Sequence, residues 1–104
     1  MPTLSVLLGI RENDFSRDQL DAITIWVRKI LAKYLSLPKA LKIRLEDVYV
    51  LTEISDSTKC QVSFLISTIN NFPEVSEDSK NKIEKDLRIL IPGKLNISII
   101  WKKE

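Results

Sequence analysis

Histidine is absent from this chain. With it go the commonest general base and the commonest transition-metal ligand, so a His-dependent triad or a His-based zinc site is excluded. Cysteine occurs once, at Cys60, so no disulfide can form within the chain and nothing signals an oxidising compartment; the cytoplasm is the expected location. Glycine occurs only at Gly9 and Gly93, which leaves no Gly-rich loop before the third strand. Long apolar runs are also missing: Met1 to Leu8 has no basic flank and is too short for a signal peptide or a membrane span. Neither sign of charge dominates, since sixteen Lys and Arg against fourteen Asp and Glu leave +2 with the signs interspersed, and neither a nucleic-acid stripe nor a membrane-binding face is expected. The central strands lack the aromatic pairs on which bases stack, Phe64 standing alone. The acids are scattered and the single cysteine has no partner ligand, so no metal or other cofactor is expected.

What is there is the composition of an ordinary folded protein, 44% hydrophobic and 29% charged, long enough for one core over residues 1–104. Thr3 to Ile10 alternates, with Leu4, Val6 and Leu8 on one side of a first strand. Ser16 followed by Gln19 is a capping box, and Leu20, Ile23, Val27, Ile30, Leu31, Tyr34 and Leu35 form the stripe of a helix that stops at Leu37-Pro38. Leu41 to Leu51 returns to a period of two, interrupted at Glu46-Asp47, where a bulge or a strand end is expected. After the turn signal Ser55-Asp56-Ser57, Cys60 to Ile69 reads as a third strand, with a β2–β3 hairpin possible but not required.

Ser76 is the N-cap of a second helix, which runs to about Ile89 on a thin stripe of Ile83, Leu87 and Leu90 and ends by Pro92-Gly93. Leu95, Ile97, Ile99 and Trp101 alternate along a last strand, and Lys102-Lys103-Glu104 reads as a solvated tail. The expected class is α+β, β-α-β-β-α-β, two tandem units (about 1–54 and 58–104) forming a four-stranded sheet with both helices on one face. Leu7, Ile100 and Phe64 or its neighbours then leave apolar sheet uncovered on the other face, which points to self-association.

The opening Met1-Pro2, the passage Leu8-Gly9-Ile10-Arg11 before the capped helix, and the helix stop and strand Leu37-Pro38-Lys39-Ala40-Leu41-Lys42-Ile43-Arg44-Leu45 together resemble the tautomerase superfamily, the 4-oxalocrotonate tautomerase and macrophage migration inhibitory factor group, in a divergent form. The resemblance to the short members covers about the first half of the chain, and the second half repeats the plan as in the longer members. It implies two parallel β-α-β units, a homotrimer, and a catalytic Pro2 that becomes an N-terminal secondary amine once Met1 is removed. It also implies that Arg11 and Arg44 bind a small carboxylate-bearing substrate, a 2-oxo acid interconverted between enol and keto forms without a cofactor. With Met1 retained, the Pro2 nitrogen is an amide without basicity.

Each of these residues also has a plain structural reading. Pro2 can simply lead a strand, where a missing N–H is tolerated. Arg44 alternates with Lys42 and Glu46 as on a solvated face, and Arg11 beside Glu12 and Asp14 reads as a loop charge. Trp26 and Trp101 read as packing or interface residues, and Cys60 as a small buried hydrophobe. The competing functions are a non-catalytic relative and a ferredoxin-like interaction module. The latter is told apart by topology, because its four strands form one antiparallel sheet.

Overall fold

A computed structural model of the chain describes residues 4–11, 14–35, 43–54, 62–68, 74–91 and 96–103. The elements run β1 (Leu4–Ile10), α1 (Arg17–Leu35), a single 3₁₀ turn (Leu45–Asp47), β2 (Val48–Ile54), β3 (Val62–Thr68), α2 (Glu77–Leu90) and β4 (Ile97–Lys103). The expected β-α-β-β-α-β order is therefore the observed one. Both helices begin where a side chain satisfies the first free N–H groups. Ser16 N–H donates to Gln19 Oε1 at 2.8 Å while Gln19 N–H donates to Ser16 Oγ at 3.2 Å, the reciprocal box expected from the sequence. Ser76 Oγ accepts from Ser79 N–H at 3.2 Å, with Glu77 and Asp78 in the first turn to complement the helix dipole.

The four strands form one sheet in the order β2-β1-β3-β4. β1 runs parallel to β2, β3 runs parallel to β4, and the two pairs join through an antiparallel β1–β3 ladder. β2 and β3 are not neighbours, so the possible hairpin between them does not form, and the mixed strand directions rule out the antiparallel ferredoxin-like sheet. Alternation then sorts the side chains. Leu4, Val6, Leu8 and Ile10 of β1 and Val62, Phe64 and Ile66 of β3 are buried beneath the helices with Ile23, Val27, Leu31, Ile83 and Leu87. Phe64 thus belongs to the helix-side core, at 0% exposure, and its neighbour Leu65 takes the place on the other face.

Two boundaries differ from the sequence reading. The alternation through Leu45 does not belong to a strand, because Asp47 draws the chain into a turn: Arg44 N–H donates to Asp47 Oδ2 at 3.0 Å and Asp47 N–H donates back to the Arg44 carbonyl at 3.0 Å. β2 therefore begins at Val48 and extends three residues past Leu51, to Ile54. At the other end Lys102 and Lys103 are not a tail, since they pair with Ser67 and Thr68 and complete β4. The expected helix stop at Leu37-Pro38, the turn at Ser55-Asp56-Ser57, Pro92-Gly93 and Cys60 lie outside the described residues.

A polar contact joins the two helices, Tyr34 Oη donating to Asp86 Oδ2 at 2.6 Å. That hydrogen bond, with partial desolvation and the nearby negative charge, raises the Tyr34 pKa above the ordinary phenol value of 10.0. Folding therefore favours the protonated phenol. Its stabilising effect is complete below the unfolded-state pKa and is lost as pH rises through the higher folded-state value. Melts of wild type and Tyr34→Phe should differ in favour of wild type at pH 8, and the gap should shrink steadily above about pH 10. Asp47, 9% exposed, serves as the cap of the turn before β2. Asp47→Ala should cost about 0.5–2 kcal/mol in urea unfolding, the range for a lost capping carboxylate, with the slope of the transition unchanged.

Candidate functional site

Strand pairing decides which chain segments share an end of the sheet. One terminal row contains Val48, Leu4, Thr68 and Lys103, so the starts of β1 and β2 meet the ends of β3 and β4 there. The α2 N-terminus follows β3 at this same end, as a parallel crossover requires. The opposite row holds Ile54, Ile10, Val62 and Ile97, beside the start of α1.

The three residues expected at a site separate on this frame. Pro2 lies outside the described residues, two positions before Leu4 in the chain. Arg44 precedes β2 and belongs to the end where β1 begins; its Nε lies 3.5 Å from Glu46 Oε2 and 3.7 Å from Asp47 Oδ2, and the side chain is 57% exposed. Arg11 follows β1 directly, at the opposite end. Seven residues from Leu4 at about 3.3 Å per strand residue put roughly 23 Å between them. Within one chain, Arg11 and the start of β1 lie at opposite ends of the sheet.

The sheet end at the start of β1 carries instead a cationic cleft of about 330 Å³ lined by Thr68, Glu74, Val75, Lys80, Trp101, Lys102 and Lys103. Lys80 comes from the first turns of α2 and the other two lysines from the end of β4. The Lys80 Nζ stands 5.7 Å from the centre of the Trp101 ring and 3.8 Å from Glu77 Oε1. The indole is oriented from behind by its Nε1–H, which donates to Glu84 Oε2 at 3.4 Å. Lys80 and Lys103 against the carboxylate of Glu74 make a pocket suited to an anion, the indole gives it one flat apolar wall, and Lys102 borders it while alternating to the open sheet face.

Sequence reasoning missed this cluster. Lys80 and Lys103 lie 23 positions apart, and only the β3–β4 register and the start of α2 bring them together. The available signal was the alternation of Ile97, Ile99 and Trp101, which continues in phase to Lys103 and marks that lysine as part of the strand. The described residues contain no group of three or more Cys, Asp or Glu arranged to hold a metal ion.

The face of the sheet away from the helices carries a second feature. Register aligns Leu51, Leu7, Leu65 and Ile100 in a single row across all four strands. On either side lie the rows Tyr49, Ser5, Ser67, Lys102 and Glu53, Gly9, Ser63, Ser98. Leu51 is 62% exposed, Tyr49 62% and Ile100 55%, so an apolar band with serine margins faces outward. A side chain at Gly9 would collide with the Ser63 hydroxyl, so glycine lets β1 and β3 pair closely at that point. Among the described residues no helix is long and apolar enough to cross a membrane.

No family model matches the sequence, and no curated protein is similar to it at a significant level. Solved structures do match. A member of the cis-3-chloroacrylic acid dehalogenase family superposes with a TM-score of 0.69 at 10% identity, over 96% of this chain and 74% of its own. MIF2 of Leishmania major gives a TM-score of 0.63 at 9% identity, over 100% of this chain and 89% of its own. A malonate semialdehyde decarboxylase inhibited by 3-bromopropiolate gives 0.56 at 14% identity, over 98% and 81%. All three are tautomerase-superfamily structures, and likenesses at these identities speak for architecture: with two parallel β-α-β units joined through an antiparallel β1–β3 ladder, this chain has the tautomerase fold.

Proposed function

We propose that the protein is a cofactor-independent tautomerase, an isomerase that interconverts the enol and keto forms of a small 2-oxo acid with Pro2 as general base after removal of Met1. The observation that carries this reading is the cationic cleft at the sheet end where β1 begins. Thr68 and Lys103 of the cleft share a row with Leu4, and two residues of chain span at most about 7 Å.

The chemistry follows from the groups at that end. An N-terminal secondary amine has an ordinary pKa of about 8, and neighbouring ammonium groups lower it toward neutrality by disfavouring a further positive charge. The substrate carboxylate is held by Lys80 and Lys103, with Arg44 as a further cation at the same end of the sheet. In the keto-to-enol direction the amine takes a proton from the carbon beside the carbonyl. The released pair forms the C=C bond, and the carbonyl electrons move onto oxygen, where a cation stabilises them until that oxygen is protonated. The reverse direction retraces these steps. Arg11 serves such a site only from a neighbouring chain, which fits assembly as a homotrimer through the apolar band of Leu51, Leu7, Leu65 and Ile100.

The activity test combines intact mass of protein made without an N-terminal tag with an ultraviolet assay of phenylpyruvate enol–keto conversion. Loss of Met1 and turnover are expected, with kcat reduced at least about 100-fold in Pro2→Ala and KM raised more than kcat is lowered in Lys80→Ala. Retained Met1, or processed protein inactive on a panel of 2-oxo acids, would sink the enzymatic reading in favour of a non-catalytic oligomeric binding protein. Assembly is checked separately by light scattering on a sizing column. Wild type should run at three times the 12.0 kDa chain mass, and Leu65→Glu, which sets a carboxylate in the apolar row, should dissociate it.

A further inference from the structure

The outer surface of the helix layer carries an apolar feature that neither the cleft nor the open sheet face accounts for. A groove of about 220 Å³ between α1 and α2 is lined by Trp26, Ile30, Asp86, Ile89 and Leu90. Ile30 and Leu90 are its floor, continuous with the core, while Trp26 at 52% and Ile89 at 71% exposure are its walls. Large apolar side chains exposed on facing sides of a groove are not explained by the fold, because the stripes that bury each helix are complete without them.

Lysines outnumber carboxylates around this groove. Lys29 and Lys33 follow Trp26 by about one and two turns along the outer side of α1, and Lys82 and Lys85 stand one or two turns before Ile89 on α2. Lys29 Nζ lies 4.9 Å from the centre of the Trp26 ring, so a cation sits on the groove wall itself. Lys29, Lys33 and Lys85 form no ion pair among the described residues, whereas Lys82 is paired with Asp78 at 3.1 Å. The one carboxylate in the lining, Asp86, already accepts the Tyr34 hydroxyl at 2.6 Å. A mostly apolar slot flanked by lysines is complementary to a segment with an apolar anchor between acidic side chains. A groove between two helices receives such a segment most readily as a third helix.

We infer that this α1–α2 groove is a docking surface for an acidic amphipathic helix of another protein, seating one leucine- or phenylalanine-sized side chain between Trp26 and Ile89 with its carboxylates on Lys29, Lys33 and Lys85. This surface is independent of the catalytic reading and of the oligomer formed through the sheet.

The test uses two fluorescein-labelled 18-residue peptides with leucine at the same i, i+3, i+4, i+7 positions, one filled with glutamate and the other with lysine, titrated with the full chain and followed by anisotropy. Saturable binding of the glutamate peptide is expected at tens of micromolar or tighter, at least about tenfold tighter than the lysine peptide and weakening with salt. Ile89→Ser and the double variant Lys29→Glu, Lys85→Glu change exposed positions and should keep the wild-type circular dichroism and melting temperature. Each should weaken binding at least about fivefold. Equal affinity for both peptides, no saturation up to about 1 mM, or unchanged binding in both variants would overturn the inference. Two further results would also overturn it by assigning the groove to other occupants: binding to phosphatidylserine vesicles with none to the glutamate peptide, or a fall in oligomer mass caused by Ile89→Ser.

Discussion

The antiparallel pairing of β1 with β3 is the contact on which the rest of the molecule depends. Each parallel unit alone presents two strands and one helix, too little to bury an apolar face on its own. Pairing Leu4 with Thr68 through Ile10 with Val62 brings the two buried rows together, so that Val6, Leu8, Phe64 and Ile66 form one continuous floor beneath both helices. The same pairing decides the chemistry of the two sheet ends. Because the strands oppose, the end that receives the start of β1 also receives the ends of β3 and β4, and Lys103 arrives in the same row as Leu4. A slip of β3 by one residue would turn Leu65 inward and bring Ser63 and Ser67 with it, so burial itself holds the register.

Three surfaces with distinct physical character result. The sheet end is cationic, with a tryptophan wall; the open sheet face is an apolar band with serine margins; the helix layer carries an apolar slot among lysines. A balance of +2 over the whole chain hides this partition, because the acids concentrate in caps, turns and pairs such as Asp47 with Arg44, Asp78 with Lys82 and Asp86 with Tyr34. Net charge says little about local sites.

The sequence made local order readable wherever a side chain acts on its own neighbourhood. The Ser16–Gln19 box and the Ser76 cap appear as expected, and so does the stripe from Ile23 to Leu35. Reading stopped where a contact is set by partners distant in the chain. Leu41 to Leu51 alternates as a strand does, yet a single carboxylate at Asp47 holds a turn there, and the pattern itself carries no sign of which will prevail. Phe64 and Leu65 were interchangeable until register chose a face for each. Of the candidate residues, Arg44 fell at the end beside β1 and Arg11 at the other. The lysine cleft was legible only in part, through the phase of β4, because its members come from separate elements.

One consequence of the sheet order concerns how the chain reaches this structure. Every strand neighbour is remote in sequence: Leu4 pairs with Val48 and with Thr68, and Val62 with Ile97, and no pair of adjacent strands is joined by a hairpin. The sheet has no local nucleus, whereas both capped helices can begin from their own residues. Loop closure must therefore precede any ladder, which places folding on the slow side for a chain of this size, roughly milliseconds to seconds. During that interval Leu4 to Ile10, the most apolar strand, is exposed without a partner, and the newly made chain is most prone to aggregation there.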